Sequence, residues 1–491
     1  MILKNVIKNI DLIETTGNIE IGISDICYNS SKVTKGSLFV CLCGSNFDGH
    51  DYIDEAVKNG ARAIAVQKDV NTHNKVAVIK VKNTREFLAY ASAAFFENPA
   101  KELITIGITG TKGKTTTSFM IRSILEQSGL KTGVIGTIGA VVGNEIVKLS
   151  NTTPESYEIQ KNFRKMVNNG CKCVVLEASS IGLKNHRLDG FKFDYGVFTN
   201  FSHDHIGTNE HSSMQEYLEC KSMLFKRCKV GFINTDDEKS SEIVKNHNCE
   251  VKTFGIKNSA DYCATNINLV NKFGDIGVNC NLYGDLNVEN VYISIPGEFN
   301  VYNALAASAV SHYMKISNES IKNGLAHVKV RGRVEPVKVS DNYSLFIDYA
   351  HNALSMENIL KTLRKYNPHR LIVLFGAGGN RPKVRRYEMG ETAGNLADLA
   401  VITSDNPRFE KPSEIIEDIK MGIEKTSGKY IVIENRKEAI RYCLSNAQKG
   451  DIIVLAGKGH EDYQEICGKK YHMDERELIA EIIRENPDLK L

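Results

Sequence analysis

The run Gly110-Thr-Lys-Gly-Lys-Thr-Thr116 has the residue types that hold a polyphosphate. It follows Ile104-Thr-Ile-Gly-Ile-Thr109, which reads as a buried, β-branched strand. A glycine turn and a helix starting at Lys114 or Thr115 would bring backbone N–H groups and a helix N-terminus to one point. Lys114 is then expected at the outer phosphates and the Thr115 hydroxyl at a Mg²⁺ ion. The common Walker spacing wants a glycine where Ile108 stands, so the loop is a shortened variant. The competing reading is an ordinary strand-turn-helix connection with a chance lysine. Three threonines after Lys114 weigh against it.

Other reactive groups also sit where apolar runs end. Glu177 follows Cys173-Val-Val-Leu176, and a carboxylate beside a phosphate loop is a good Mg²⁺ ligand. Asn200 and His203-Asp204-His205 follow the run 195–199; two histidines around an aspartate point to a metal or phosphate site. Asp348-Tyr-Ala-His351, Ser404-Asp-Asn-Pro-Arg408 and Gly457-Lys-Gly-His-Glu461 end three further runs. Each alone reads as a loop with a turn signal. Their recurrence at strand ends favours one composite active site.

The elements that must position these groups fall into three segments, as expected at ~150 residues per domain. The fold class is α/β. Residues 1–98 form a small α/β N-terminal domain, with a helix at 52–60 and a strand at 61–66. Residues 99–330 form a central P-loop ATPase-like domain with a mainly parallel sheet. It holds a polar, strand-rich stretch at 251–295 and a helix opened by Pro296-Gly297. Residues 331–491 form a C-terminal Rossmann-like domain, with strands at 344–347, 371–375, 399–403, 430–433 and 452–455. Helices at 412–425 and 436–446 fall between them. Such alternation predicts parallel sheets that bind ligands beyond the strands' C-terminal ends.

The composition, 42% hydrophobic and 25% charged, is that of a globular protein, and the net charge of +3 gives no argument for nucleic acid. No apolar run approaches the ~18–20 residues of a membrane helix, and the N-terminal residues lack a signal-peptide core. Cys41/Cys43 and Cys171/Cys173 are spaced for one face of a strand. Without a Cys-x-x-Cys pair, the twelve cysteines read as reduced, mostly buried thiols of a cytoplasmic protein.

Seven motifs in order give the chain a family resemblance. They are Gly110–Thr116, Asn151-Thr-Thr-Pro154, Thr199-Asn200, Gly297-Glu-Phe-Asn-Val-Tyr-Asn303, Asp348–His351, Asp405-Asn-Pro-Arg408 and Gly457–Glu461. The chain resembles, nearly end to end, the Mur ligases, ATP-dependent amide-forming enzymes of peptidoglycan synthesis. It looks most like the type that adds the third residue of the stem peptide. The resemblance implies ATP and Mg²⁺ as cofactors, small-molecule substrates, no membrane insertion and a monomer.

It also implies roles. Gly110, Thr111, Lys112, Gly113, Lys114, Thr115 and Thr116 would hold ATP, with Asn300, Arg333, Asp348 and His351 around the nucleotide. Thr115, Glu177, His205 and Lys221 would bind magnesium. Lys221 matches a lysine that such ligases carbamylate, turning a cation into a two-oxygen anion; by residue type alone it reads as a solvated helix lysine. Lys114, His205 and Lys221 would serve catalysis. Ser30, Ser45, Asn46, Phe47, Asn151, Thr152, Thr153, Ser179, Asn185 and Arg187 would contact the UDP-sugar peptide; the plain alternative for the threonine pair is a helix cap before Pro154. Arg386, Asp405, Asn406, Arg408, Gly457 and Glu461 would hold the incoming diamino acid. Arginine suits the distal carboxylate of meso-diaminopimelate and Glu461 its distal ammonium.

The chain departs from the family at Ile181, where a histidine is usual, and at Ile206-Gly-Thr-Asn209. It also departs at Asn380-Arg381-Pro382, Arg385-Arg386-Tyr387 and Asn352-Ala-Leu354. The implied reaction adds diaminopimelate to UDP-N-acetylmuramoyl-L-alanyl-D-glutamate through an acyl phosphate. The rivals are L-lysine or another diamino acid as acceptor, folylpolyglutamate synthesis, and a nucleotide-binding paralogue without ligase activity.

Overall fold

The computed structural model describes residues 1–44, 47–71, 76–203, 206–207, 210–272 and 275–487. The chain divides into two compact units, one of residues 1–262 and 306–320, the other of 263–305 and 321–491.

The first unit holds two sheets. In the smaller, the order is Glu14–Thr16, Ala77–Lys80, Ala63–Val66, Leu38–Val40 and Ile26–Cys27, antiparallel only at the first pair. Both faces are covered, so the strands read as apolar runs. Leu38, Val40, Ala63 and Ala65 pack with Phe87 and Leu88 of helix Thr84–Phe95. Phe39, Ile64 and Val66 pack the other way, with Ile53 and Ala56 of helix Ile53–Lys58.

The second sheet of this unit runs Glu250–Gly255, Cys228–Asn234, Phe193–Phe198, Ile104–Thr109, Cys173–Glu177 and Thr132–Gly136, all parallel. Strands Gly139–Val142 and Glu145–Val147 continue it antiparallel. The glycine-loop strand is therefore central. The strands on either side of it deliver Glu177 and Thr199-Asn200 to the same edge as Gly110.

In the second unit, the order is Glu335–Pro336, Ser344–Asp348, Ile452–Ala456, Leu371–Phe375, Leu399–Ile402 and Tyr430–Val432. Only the first pair is antiparallel. Because Leu371–Phe375 lies between Ile452–Ala456 and Leu399–Ile402, the loops after these three strands emerge side by side. The expected strands and helices of this region match to within a residue or two. Asn352, one of the departures, caps helix Ala353–Arg364 in a capping box with Ser355.

The cysteine spacing misled. The strand ends at Val40, so Cys41 is buried while Cys43 lies exposed beyond it, and Cys171 precedes its strand. None of the twelve cysteines is in a disulfide, and all but Cys43, Cys249 and Cys467 are buried. Among the described residues, no helix is long and apolar enough to cross a membrane.

Candidate functional site

The phosphate loop is shaped by glycine and closed by its neighbours. Helix Lys114–Gln127 starts at the lysine, as expected. Gly110 has φ +146°, and a Cβ there would lie 2.0 Å from Thr199 Oγ1, so no side chain fits. Thr199 Oγ1 donates to the Lys112 carbonyl at 2.7 Å. Asn200 accepts the Lys112 N–H at 2.9 Å and donates back to its carbonyl at 3.0 Å. Lys114 Nζ donates to the carbonyls of Gly110 (2.9 Å) and Thr111 (3.0 Å), and Lys221 Nζ to that of Gly110 at 2.8 Å. Two ammonium groups on one carbonyl, beside a helix N-terminus, fit a polyphosphate.

Lys221 is buried, with Nζ 4.2 Å from the centre of the Tyr217 ring. The solvated-lysine reading is thereby overturned: helix Met214–Ser222 turns it inward. Buried Glu177 accepts from the hydroxyls of Thr115 (3.0 Å) and Thr137 (3.1 Å) and from the Thr137 N–H (3.0 Å). Thr115 and Glu177 form an all-oxygen pair that fits a hard cation such as Mg²⁺. His203 is exposed, and Asp204 and His205 lie outside the described residues.

Residues expected at the sugar-peptide extend from Glu177. Thr152 Oγ1 lies 3.1 Å from Thr137 Oγ1. Thr153 Oγ1 donates to the Glu177 carbonyl at 2.6 Å and accepts the Ser179 N–H at 3.0 Å. Helix Ser156–Asn168 has no side-chain cap, so the cap reading of the threonine pair fails. Ser179 instead caps Ser180–Lys184, which Asn185 ends. Ser180 Oγ, beside Ile181, meets His211 Nε2 at 2.8 Å. Arg187 donates to the Thr153 carbonyl and to Glu155, both at 3.0 Å. Arg85, which sequence reading missed, grips both oxygens of Glu155 and reaches the Cys43 carbonyl at 3.3 Å. Nothing in its sequence context marks it. Asn151 and Phe47 are exposed and Ser30 is buried, while Ser45 and Asn46 lie outside the described residues.

In the second unit, Asn300 is buried and donates to the Pro296 carbonyl at 2.7 Å. Asp348 accepts the N–H groups of Val334 and Ala350 (2.8 and 2.9 Å); burial pushes its carboxyl up, against the pull of Arg333. Arg333 lies 5.1 Å from the Tyr349 ring, and His351 and His460 each lie 4.7 Å from it. Burial, then Arg333, Arg331 and Arg476, hold His460 down at about 4.

The three adjacent loops enclose a cavity of about 200 Å³ lined by Arg386, Asp405, Asn406, Arg408, Gly457 and Glu461, the expected amino-acid set. Gly457 has φ +110°, and a Cβ there would come within 2.7 Å of Asp405 Oδ2. Arg408 has φ +53°, held by backbone bonds to Glu465 and Cys467. Its guanidinium bonds Glu465 (3.2 Å) and the Gly379 carbonyl (2.7 Å). Arg386 is buried, with both terminal nitrogens 2.8 Å from carboxylates of Asp418 and Glu410, so only Nε is left. Arg381 and Arg385 also line the cavity and form no ion pair among the described residues. They and Lys458 were missed as site residues, although all three lie inside motifs already singled out.

A helix-borne phosphate loop and a carboxylate-and-arginine cavity on parallel sheets define a nucleotide-using α/β protein. The chain matches the descriptions "Mur ligase family, catalytic domain" over residues 22–96, "Mur ligase middle domain" over 108–311 and "Mur ligase, glutamate ligase domain" over 332–459. It is 45% identical over 474 residues to a UDP-N-acetylmuramoyl-L-alanyl-D-glutamate–2,6-diaminopimelate ligase of Caldanaerobacter subterraneus subsp. tengcongensis, covering 96% of this chain and 97% of that one. A ligase of the same name from Clostridium perfringens is 41% identical, over 98% and 99% of the two chains. A solved structure of a ligase of that name has a TM-score of 0.73 at 27% identity, covering 99% of each chain. The chain belongs to the Mur ligase family.

Proposed function

We infer that the protein is an ATP-dependent ligase that joins meso-diaminopimelate to the D-glutamyl carboxylate of UDP-N-acetylmuramoyl-L-alanyl-D-glutamate, releasing ADP and phosphate. The observation that carries this reading is the near full-length identity to ligases of that name. The arginine-lined, carboxylate-bearing cavity supports it, because diaminopimelate presents a carboxylate and an ammonium at its far end.

A carboxylate repels nucleophiles, so it must first be phosphorylated. The acyl phosphate carries a neutralised carbonyl and a good leaving group. Lys114 would turn from the Gly110 carbonyl to the phosphates and offset charge on the transferring phosphoryl group. Thr115 and Glu177 would hold Mg²⁺, which supplies charge neutralisation at the phosphates when bound. Arg408 and Glu461 would hold the far end of the diamino acid, leaving its near amine to attack the carbonyl. Within this proposal, residues 1–98 take the UDP-sugar, 99–330 ATP and 331–491 the amino acid, in a cytoplasmic monomer. The test is ADP release that depends on both the UDP-dipeptide and diaminopimelate, with the product identified by mass. Release with L-lysine but not with diaminopimelate would overturn the assigned acceptor.

A further inference from the structure

We propose that Lys458 is a positioning residue that makes the cavity select an amino acid with a distal ammonium group. The inference rests on the reaction proposed above. Lys458 is wholly buried, which for lysine is tolerated only with partners. Its Nζ donates to Asn406 Oδ1 at 2.8 Å and to Glu461 Oε2 at 3.0 Å, and lies 3.9 Å from Asp405 Oδ1. The ring of Tyr463 covers it at 5.3 Å.

These contacts fix two neighbours at once. Asn406 Oδ1 also accepts the Glu465 N–H at 2.9 Å, so its Nδ2 must point the other way, where it donates to Glu461 Oε2 at 2.9 Å. Lys458 and Asn406 thus hold the same oxygen of Glu461. The second oxygen, Oε1, makes no hydrogen bond among the described residues, on a side chain that lines the cavity. Arg381 and Arg385 line the same cavity and would meet a carboxylate, whereas Glu461 would meet an ammonium. Without Lys458, Glu461 would turn toward solvent or toward these arginines, and the cavity would lose its preference for an ammonium.

The experiment is steady-state ADP release by the full chain with UDP-dipeptide and ATP, varying either meso-diaminopimelate or L-2-aminopimelate, which keeps the distal carboxylate but lacks the distal amine. Lys458→Met should raise KM for diaminopimelate about 10–100-fold, as expected when an oriented charged contact is lost. KM for ATP and for 2-aminopimelate should stay within about twofold, so the discrimination between the two amino acids collapses. Lys458→Arg should restore part of it. An equal rise for both amino acids, or no change, would overturn the proposal.

Should Lys458→Met not fold, the double variant Lys458→Arg/Glu461→Gln decides. Its discrimination should equal that of Glu461→Gln alone, and a further independent loss would overturn the role through Glu461. A wild type inert toward diaminopimelate would count against the reaction instead. The same ratio would then be read with L-lysine against L-norleucine.

Discussion

The phosphate-loop edge of the first unit and the cavity of the second hold charge in different ways. At the loop, most of the groups that would meet a ligand come from the seven consecutive residues 110–116, with Glu177 and Lys221 brought in from elsewhere, and the backbone does much of the holding. Its two lysines rest on a main-chain carbonyl from which an anion can draw them away. In the cavity, the groups come from separate loops, and Asn406, Lys458 and Glu461 are already bonded to one another. The first arrangement is general, since every nucleoside triphosphate presents the same phosphates. The second is particular, since a network of fixed carboxylates and arginines matches one pattern of charges. General recognition can be built from main chain, whereas discrimination needs side chains whose directions are locked.

The comparison predicts separable defects. Lys114→Ala should lower kcat by about 10³-fold while thermal unfolding stays that of the wild type, as for loss of a charge that stabilises a transition state. Appreciable turnover would show that the loop works without its lysine. Arg436→Met should instead act on stability. Arg436 is buried against Glu475 and donates to the carbonyls of Ser404 and Ala456, just before Asp405 and Gly457. Removing one partner of a buried pair costs about 3–5 kcal/mol, readable as an earlier denaturant transition, with the cavity failing before the loop. Equal loss of ATP binding and amino-acid use would mean that the two regions are not independent.

Arg408→Ala should raise KM for diaminopimelate with KM for ATP unchanged, at about 2 kcal/mol for a lost charge-assisted contact. An equal rise in both would misplace the pocket. The smallest effect concerns His460. Its folded value of about 4 lies below the ordinary 6.5, so the unfolded chain takes up this proton first as pH falls. The stability it permits is full above pH 6.5 and is lost progressively down to about 4. Between pH 7.5 and 5.5, His460→Gln should therefore lose about 1 kcal/mol less stability than the wild type. Equal losses would show that His460 is not held neutral.

Much of the fold was legible because apolar runs between turn signals are a local property. The runs at 104–109, 173–176, 371–375 and 452–455 are strands within a residue or so of where they were expected. Lys221 was legible only through the family resemblance, not from its residue type. A helix lysine reads as solvated unless the packing of Tyr217 and the nearness of Gly110 are known. Arg386 was expected to face a ligand, but its fork is committed to Asp418 and Glu410, and residues 24 and 32 positions away carry no signal of such pairing. The cysteine pairs misled for the converse reason: spacing by two fits one strand face only if a strand is there.

The sequence by itself determined the α/β alternation, the glycine cradle and the strand ends at which polar groups gather. Each follows from residues adjacent in the chain, through sterics and hydrophobic period. Only the tertiary structure decided which of those polar groups are committed to one another and which face open space. That depends on strand order, which sets Leu371–Phe375 between the next strand in the chain, Leu399–Ile402, and the distant Ile452–Ala456. A buried charge such as Lys458 then takes whichever partners the neighbouring loops supply, because leaving it unpaired would cost more than any local preference could return.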